Sequence, residues 1–86
     1  MITVGEFEVQ VRELEEVVII IRAPVSAQVE TYDYGRKASG KTSVSEWLDT
    51  RIKDKINGLP YIVLGGEYSS VHGRTKLETL RQSYEH

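Results

Sequence analysis

Between Ser43 and Pro60 the sequence specifies a helix with both ends marked, and this stretch limits the available folds more than any other. Ser43-Val44-Ser45-Glu46 is a capping box, in which the serine hydroxyl accepts from the Glu46 amide and the glutamate carboxylate reaches back. Val44, Leu48, Ile52 and Ile56 then recur at helical spacing with Trp47 beside them, while Asp49, Arg51, Lys53, Asp54 and Lys55 lie mostly off that stripe. Asn57-Gly58 followed by Leu59-Pro60 is a strong stop. A helix with one apolar stripe has to bury it against another layer, and Trp47 belongs to that buried side.

The layer is expected from the residues around it. From Glu6 to Leu14 the apolar Phe7, Val9 and Val11 alternate with Glu8, Gln10 and Arg12, the period of a half-buried strand. Val17 to Ile21 is a β-branched run with no polar face, as in a central strand covered on both sides, and Pro24 ends it. Ser26 to Tyr34 alternates with mixed polarity and reads as an edge strand, with Tyr32 and Tyr34 on the face of Gln28 and Glu30. Tyr61 to Leu64 is a short buried strand ended by two glycines, and Glu67 to Gly73 is either one more strand or a loop. Thr75-Lys76-Leu77-Glu78 reads as a second capping box, opening a helix to about Tyr84 with Leu77, Leu80 and Tyr84 as its stripe. The expected class is α+β: an antiparallel sheet of three to five strands with two helices on one face, in the order β-β-β-α-β-(β)-α. Residues 1–86 read as one domain with no linker, low-complexity stretch or internal repeat.

Composition narrows the chemistry. Without cysteine there are no disulfides, thiolate metal sites or cysteine nucleophiles. The two histidines are His72, in a glycine-bounded loop, and the terminal His86, so neither a Ser-His-Asp set nor a His-based metal site is expected. No apolar run has the length of a membrane span, and acids follow Met1-Ile2-Thr3-Val4 where a leader would be apolar, so a cytoplasmic protein is expected. No cofactor and no enzymatic activity are expected.

The net charge of −2 is unevenly spread. Residues 1–34 hold seven acids, Glu6, Glu8, Glu13, Glu15, Glu16, Glu30 and Asp33, against two bases, a net of −5. Residues 35–86 hold nine bases against six acids, a net of +3. The acidic part, with Tyr32 and Tyr34 as aromatic anchors, suits a protein or nucleoprotein partner with basic grooves. A paired-carboxylate catalytic site among Glu6, Glu8, Glu13, Glu15 and Glu16 is the weaker reading, because catalysis needs a desolvated pocket that a domain this small rarely offers. Monomer and homodimer are both compatible with an exposed strand edge.

The basic part contains a literal G-x-x-x-x-G-K-T from Gly35 to Thr42. In a P-loop these backbone amides hold phosphates, and the lysine and threonine serve the terminal phosphate and its magnesium. Here the preceding strand is amphipathic and Tyr61 to Leu64 runs into glycines, not into a metal-binding acid, which counts against nucleotide hydrolysis. The alternative is nucleic-acid backbone binding by Arg36, Lys37, Lys41, Lys53 and Lys55, along the loop 35–42 and the helix after it.

Two resemblances bear on these readings. Three strands leading into Gly40-Lys41-Thr42-Ser43 at a helix start is similar to the way double-stranded RNA-binding domains present their lysines. A short, cysteine-free, mildly acidic α+β chain, with antiparallel strands, a helix and an aliphatic strand between Phe7 and Leu64, resembles the small phage-encoded inhibitors of host defence, anti-CRISPR proteins among them. That resemblance implies a non-enzymatic inhibitor that covers a nucleoprotein defence complex in the host cytoplasm.

Overall fold

The structure is a computed structural model that describes residues 1–24, 26–66 and 71–84. Among these the chain forms three helices and two antiparallel sheets of two strands each, a small mixed α+β protein. The order is β1 (Ile2–Thr3), α1 (Val4–Glu15), β2 (Val18–Ile21), β3 (Gln28–Val29), α2 (Val44–Trp47) continued by a π-helical stretch (Leu48–Ile52), β4 (Tyr61–Leu64) and α3 (Leu77–Ser83). β1 pairs with β3 and β2 with β4, so the single sheet expected from the sequence is two separate pairs among the described residues.

The largest correction concerns Glu6 to Leu14, which is helix and not strand. Thr3 is its cap: the Thr3 hydroxyl accepts from the Glu6 amide at 3.2 Å, and the Glu6 carboxylate accepts from the Thr3 amide at 3.4 Å. Val4, Phe7, Val11 and Glu15 are buried at helical spacing, whereas Val9, which the strand reading places beside Phe7 and Val11, is 52% exposed. The helix ends on Glu16, left-handed at φ 59°, whose amide donates to the Arg12 carbonyl at 3.0 Å.

Among the described residues β2 is not in the middle of a sheet: it pairs only with β4, from Val18 against Leu64 to Ile21 against Tyr61, and its side chains alternate, Ile19 and Ile21 inward and Ile20 40% exposed. α1 lies along it, and the Glu8 carboxylate accepts from the Ile21 amide at 2.8 Å. At the far end of the ladder the Tyr84 hydroxyl takes the place of a rung, accepting from the Val18 amide at 3.1 Å and donating to the Leu64 carbonyl.

The expected strand from Ser26 to Tyr34 contracts to Gln28–Val29 against β1, with Ile2 opposite Val29. Beyond Val29 the backbone turns to other partners: the Glu30 amide donates to the Lys55 carbonyl at 2.9 Å and the Tyr32 amide to Gln10 Oε1 at 3.0 Å. Tyr32 is therefore in the core, on the opposite side from the exposed Gln28 and Glu30. The question of a strand at Glu67–Ser70 lies outside the described residues; after it, the Val71 amide donates to the Val63 carbonyl at 3.1 Å.

The strongest expectation, the helix after Ser43, holds in the serine half of its cap and most of its core face but not in its pitch; the Glu46 carboxylate accepts from the Ser43 hydroxyl and not from its amide. Ser43 Oγ accepts from the Glu46 amide at 3.2 Å, and Val44, Trp47, Ile52 and Ile56 are buried. The Thr50 hydroxyl donates to the Glu46 carbonyl at 2.8 Å, occupying the acceptor that the next α-helical bond would use. The ladder widens to the π spacing, with the Lys53 amide donating to the Leu48 carbonyl at 2.9 Å. Asn57 and Gly58, at φ 54° and 76°, then end the segment where the sequence marks its stop.

Candidate functional site

Glu15 is the centre of the molecule's one buried ionic network among the described residues. It is the last residue of α1, on the same face as Phe7 and Val11, and is fully buried. Its Oε2 accepts from Arg51 Nη1 at 2.8 Å, from Trp47 Nε1 at 3.2 Å and from the Tyr32 hydroxyl. Its Oε1 accepts from the Ala38 amide at 2.7 Å and from Arg81 Nη2 at 3.2 Å. Arg81 Nε also donates to the Glu15 carbonyl at 2.7 Å, and Arg51 donates to the Arg36 carbonyl at 2.7 Å. The wide π turn sets Trp47 and Arg51 on one carboxylate oxygen, and Tyr34 stacks under the Arg51 guanidinium at 4.3 Å. Burial, and then the Glu15 carboxylate, push the Tyr32 hydroxyl above the usual tyrosine range. No buried side-chain polar atom here lacks a partner, so the network joins α1, the 32–38 segment, α2 and α3 as a structural hub.

The glycine-lysine-threonine loop also has a role different from the P-loop reading. A phosphate cradle needs free backbone amides at a helix start, and those of α2 are all taken: Val44 donates to the Thr75 carbonyl at 2.7 Å, Ser45 to the Gly73 carbonyl at 2.9 Å and Glu46 to Ser43 Oγ. In return the first amides of α3 donate into the loop, Leu77 to the Thr42 carbonyl at 2.8 Å and Glu78 to the Gly40 carbonyl at 2.9 Å. The second capping box expected at Thr75 is absent, because Lys76 is the cap residue and the loop carbonyls do the capping.

These bonds expose an internal repeat that the sequence reading missed. Residues 39–47, Ser-Gly-Lys-Thr-Ser-Val-Ser-Glu-Trp, correspond to residues 72–80, His-Gly-Arg-Thr-Lys-Leu-Glu-Thr-Leu. Ser43 and Lys76 face each other in an antiparallel bridge, and the bonds on either side come in matched pairs. Thr42 donates to the Ser39 carbonyl and Thr75 to the His72 carbonyl, both at 3.0 Å; the Lys41 amide donates to Ser39 Oγ as the Arg74 amide donates to His72 Nδ1. The glycines match as well: a Cβ on Gly40 would lie 2.8 Å from the Glu78 Cβ, and one on Gly73 would lie 3.3 Å from the Ser45 Cβ. Gly40→Ala is therefore expected to lose about 1–3 kcal/mol of stability and Gly73→Ala distinctly less, read from urea unfolding. A neutral Gly40→Ala would show that the two turns are not locked together.

The expected acidic surface divides on inspection. Glu15 and Tyr32 are buried in the hub, and Glu8 is spent on the β2 backbone, so none of the three presents itself to a partner. Glu16 and Asp33 are exposed but pair with Lys37 and Lys55, whose ammonium groups hold both carboxyls below their ordinary values. Tyr34 is half-buried, its hydroxyl donating to the Thr50 carbonyl at 3.3 Å. Glu6, Glu13 and Glu30 remain exposed with no ion-pair partner among the described residues. The expected basic stripe is thinned likewise: Lys37 and Lys55 are paired as above and Lys53 pairs with Asp49 at 2.6 Å, leaving Arg36 and Lys41.

Comparison with protein-family models, curated proteins and solved structures gives no match. The site is accordingly read from the geometry alone. Its most distinctive exposed surface is one the sequence reading did not assemble. Glu6, Val9 and Glu13 lie along the outer side of α1, and Val9 shares with Gly5, Glu8, Arg12 and β2 a shallow groove of about 160 Å³ that ends on the exposed Ile20. Met1, Val9 and Ile20 are the large hydrophobic residues left exposed among the described residues. The signal that would have located this face is the capping box Thr3-Val4-Gly5-Glu6, which converts Glu6 to Glu13 from an alternating pattern into a helical one.

Proposed function

We propose that this chain is a non-enzymatic binding protein that occludes a macromolecular partner, in the manner of the phage-encoded inhibitors of nucleoprotein defence complexes that it resembles in size and charge. The observation that carries the reading is the face of α1 and β2: Val9 and Ile20 are exposed on either side of one groove, with Glu6 and Glu13 on the same helix. An apolar centre with a charged rim is the anatomy of a protein interface. Glu6 and Glu13 against the one exposed Arg12 leave the rim net negative, which suits a partner surface bearing arginine and lysine, such as a nucleic-acid-binding groove, and covering that groove inhibits without chemistry. Of the grooves among the described residues, the one beside the π turn holds about 280 Å³ and its charged groups, Asp49 and Lys53, neutralise each other, while a larger one of about 520 Å³ beside Arg12, Val18 and Tyr84 has its carboxylate, Glu16, paired with Lys37. That favours a surface contact over a small-molecule pocket.

The test is capture from a nuclease-treated bacterial lysate by tagged wild type and by the double variant Val9→Lys, Glu13→Lys, with mass spectrometry of what is retained. The wild type should hold a protein complex that the variant loses, because a like charge placed against a basic rim costs several kcal/mol. Both residues are exposed, so the melting temperature should move by no more than a few degrees. Equal retention by both proteins, or nothing specific retained by the wild type, overturns the reading.

A further inference from the structure

We propose that the paired turns at 39–43 and 72–76 form a second binding surface, for the phosphate backbone of a nucleic-acid duplex. Five of the chain's eleven lysines and arginines are neutralised by carboxylates among the described residues: Lys37, Arg51, Lys53, Lys55 and Arg81. Three of the remaining six, Lys41, Arg74 and Lys76, converge on the double turn. All three are exposed, while Val44 and Leu77, next to the Ser43–Lys76 bridge, are buried beneath it. The rigidity of the platform does not depend on a ligand, since the reciprocal carbonyl caps already fix both turns.

Symmetry selects the duplex. Lys41 and Arg74 are equivalent positions of the repeat, one on each side of the bridge, so they stand about a local two-fold axis. The two backbones of a double helix are related by two-fold axes of their own, and a protein with matching symmetry can place one cation on each strand. Lys76 adds a cation at the bridge itself. The acids nearby are Glu46, whose carboxylate accepts from the Ser43 hydroxyl at 3.3 Å, and Glu78, whose Cβ faces Gly40; both are exposed as the three cations are, and they reduce the local charge to a net of +1. With the first amides of both helices taken by loop carbonyls and no base-reading element in the double turn, the contact is with backbone and carries no sequence preference. This surface is separate from the α1 and β2 face and does not rest on it.

The measurement is fluorescence anisotropy with a labelled DNA duplex of mixed sequence, the same strand unpaired, and anionic phospholipid vesicles as competitor, over a series of salt concentrations. Wild type should bind the duplex more tightly than the single strand, with a log–log salt slope of about −2.7 for three phosphate contacts. The triple variant Lys41→Gln, Arg74→Gln, Lys76→Gln should lose about tenfold or more at low salt, together with most of the slope. A control of equal charge, Arg22→Gln, Lys53→Gln, Lys55→Gln, should lose far less. Circular dichroism melts verify that both variants fold. Absence of duplex binding, an unchanged triple variant, an equal loss in the control, or displacement by vesicles with no duplex preference each overturns the proposal.

Discussion

Glu15→Gln is expected to remove about 3–5 kcal/mol of folding stability, the cost of leaving buried cations without their counter-ion. The carboxylate serves five donors at once, from Tyr32, Ala38, Trp47, Arg51 and Arg81. An amide offers one acceptor oxygen and turns its own N–H groups against donors that have nowhere else to go. A domain of this size has a total stability of roughly 4–13 kcal/mol, so the variant should be largely unfolded or sharply shifted in urea at neutral pH. The two arginines keep some access to water, at 23% and 14% of their side-chain surface, which points to the lower part of the range. A loss below about 1 kcal/mol would show that solvent replaces the carboxylate and that the network is not a hub.

Gly66→Ala comes next in size. Gly66 lies two residues beyond β4, its amide donates to Ser83 Oγ at 3.0 Å, and a Cβ there would fall on the Ser83 main-chain carbonyl. The atoms that a Cβ would meet, the Ser83 carbonyl and the Tyr84 amide, are all backbone, so α3 has to move away from the strand, taking with it the Tyr84 hydroxyl that closes the β2–β4 ladder. About 3 kcal/mol or more should be lost, a fall in melting temperature beyond about 10 °C for a domain this small. Gly35→Ala is the matched comparison, since nothing lies within 4 Å of a Cβ at Gly35, and it should stay within about 0.5 kcal/mol of wild type. Equal melting of the two variants would mean that α3 is not seated as described.

Much of the core was legible where one periodicity had no competitor. Of the stripe Val44, Leu48, Ile52 and Ile56 with Trp47 beside it, bounded by Ser43 and Gly58, all but the half-buried Leu48 are buried as the spacing demands. Phe7, Val9 and Val11 misled because alternation over five residues is also compatible with a helix that buries Phe7 and Val11 and exposes the residue between them. The decisive local information was Thr3 and Glu6, one turn upstream. Val17 to Ile21 shows the converse limit: five consecutive β-branched residues look covered on both sides, yet Ile20 is 40% exposed, because side chains alternate along a strand and the core lies on the side of Ile19 and Ile21. Glu15 was hidden by its type, since an acid next to another acid reads as a solvated turn, and its donors come from residues as far away as Arg81. The repeat was hidden by substitution: Lys41 and Arg74, or Trp47 and Leu80, keep chemistry or burial and not identity.

The double turn also dictates when this chain can fold. The carbonyls that cap α2 belong to Gly73 and Thr75, and those that cap α3 belong to Gly40 and Thr42, so neither helix start is complete until both turns exist. The acid at the end of α1 waits longer still, for Arg81. On a ribosome, a nascent chain that has emerged only as far as β4 carries a buried-type carboxylate short of one counter-ion and a helix with open amides. Most of its length has to remain unsettled until α3 has left the exit tunnel, and the native state then forms in one cooperative step.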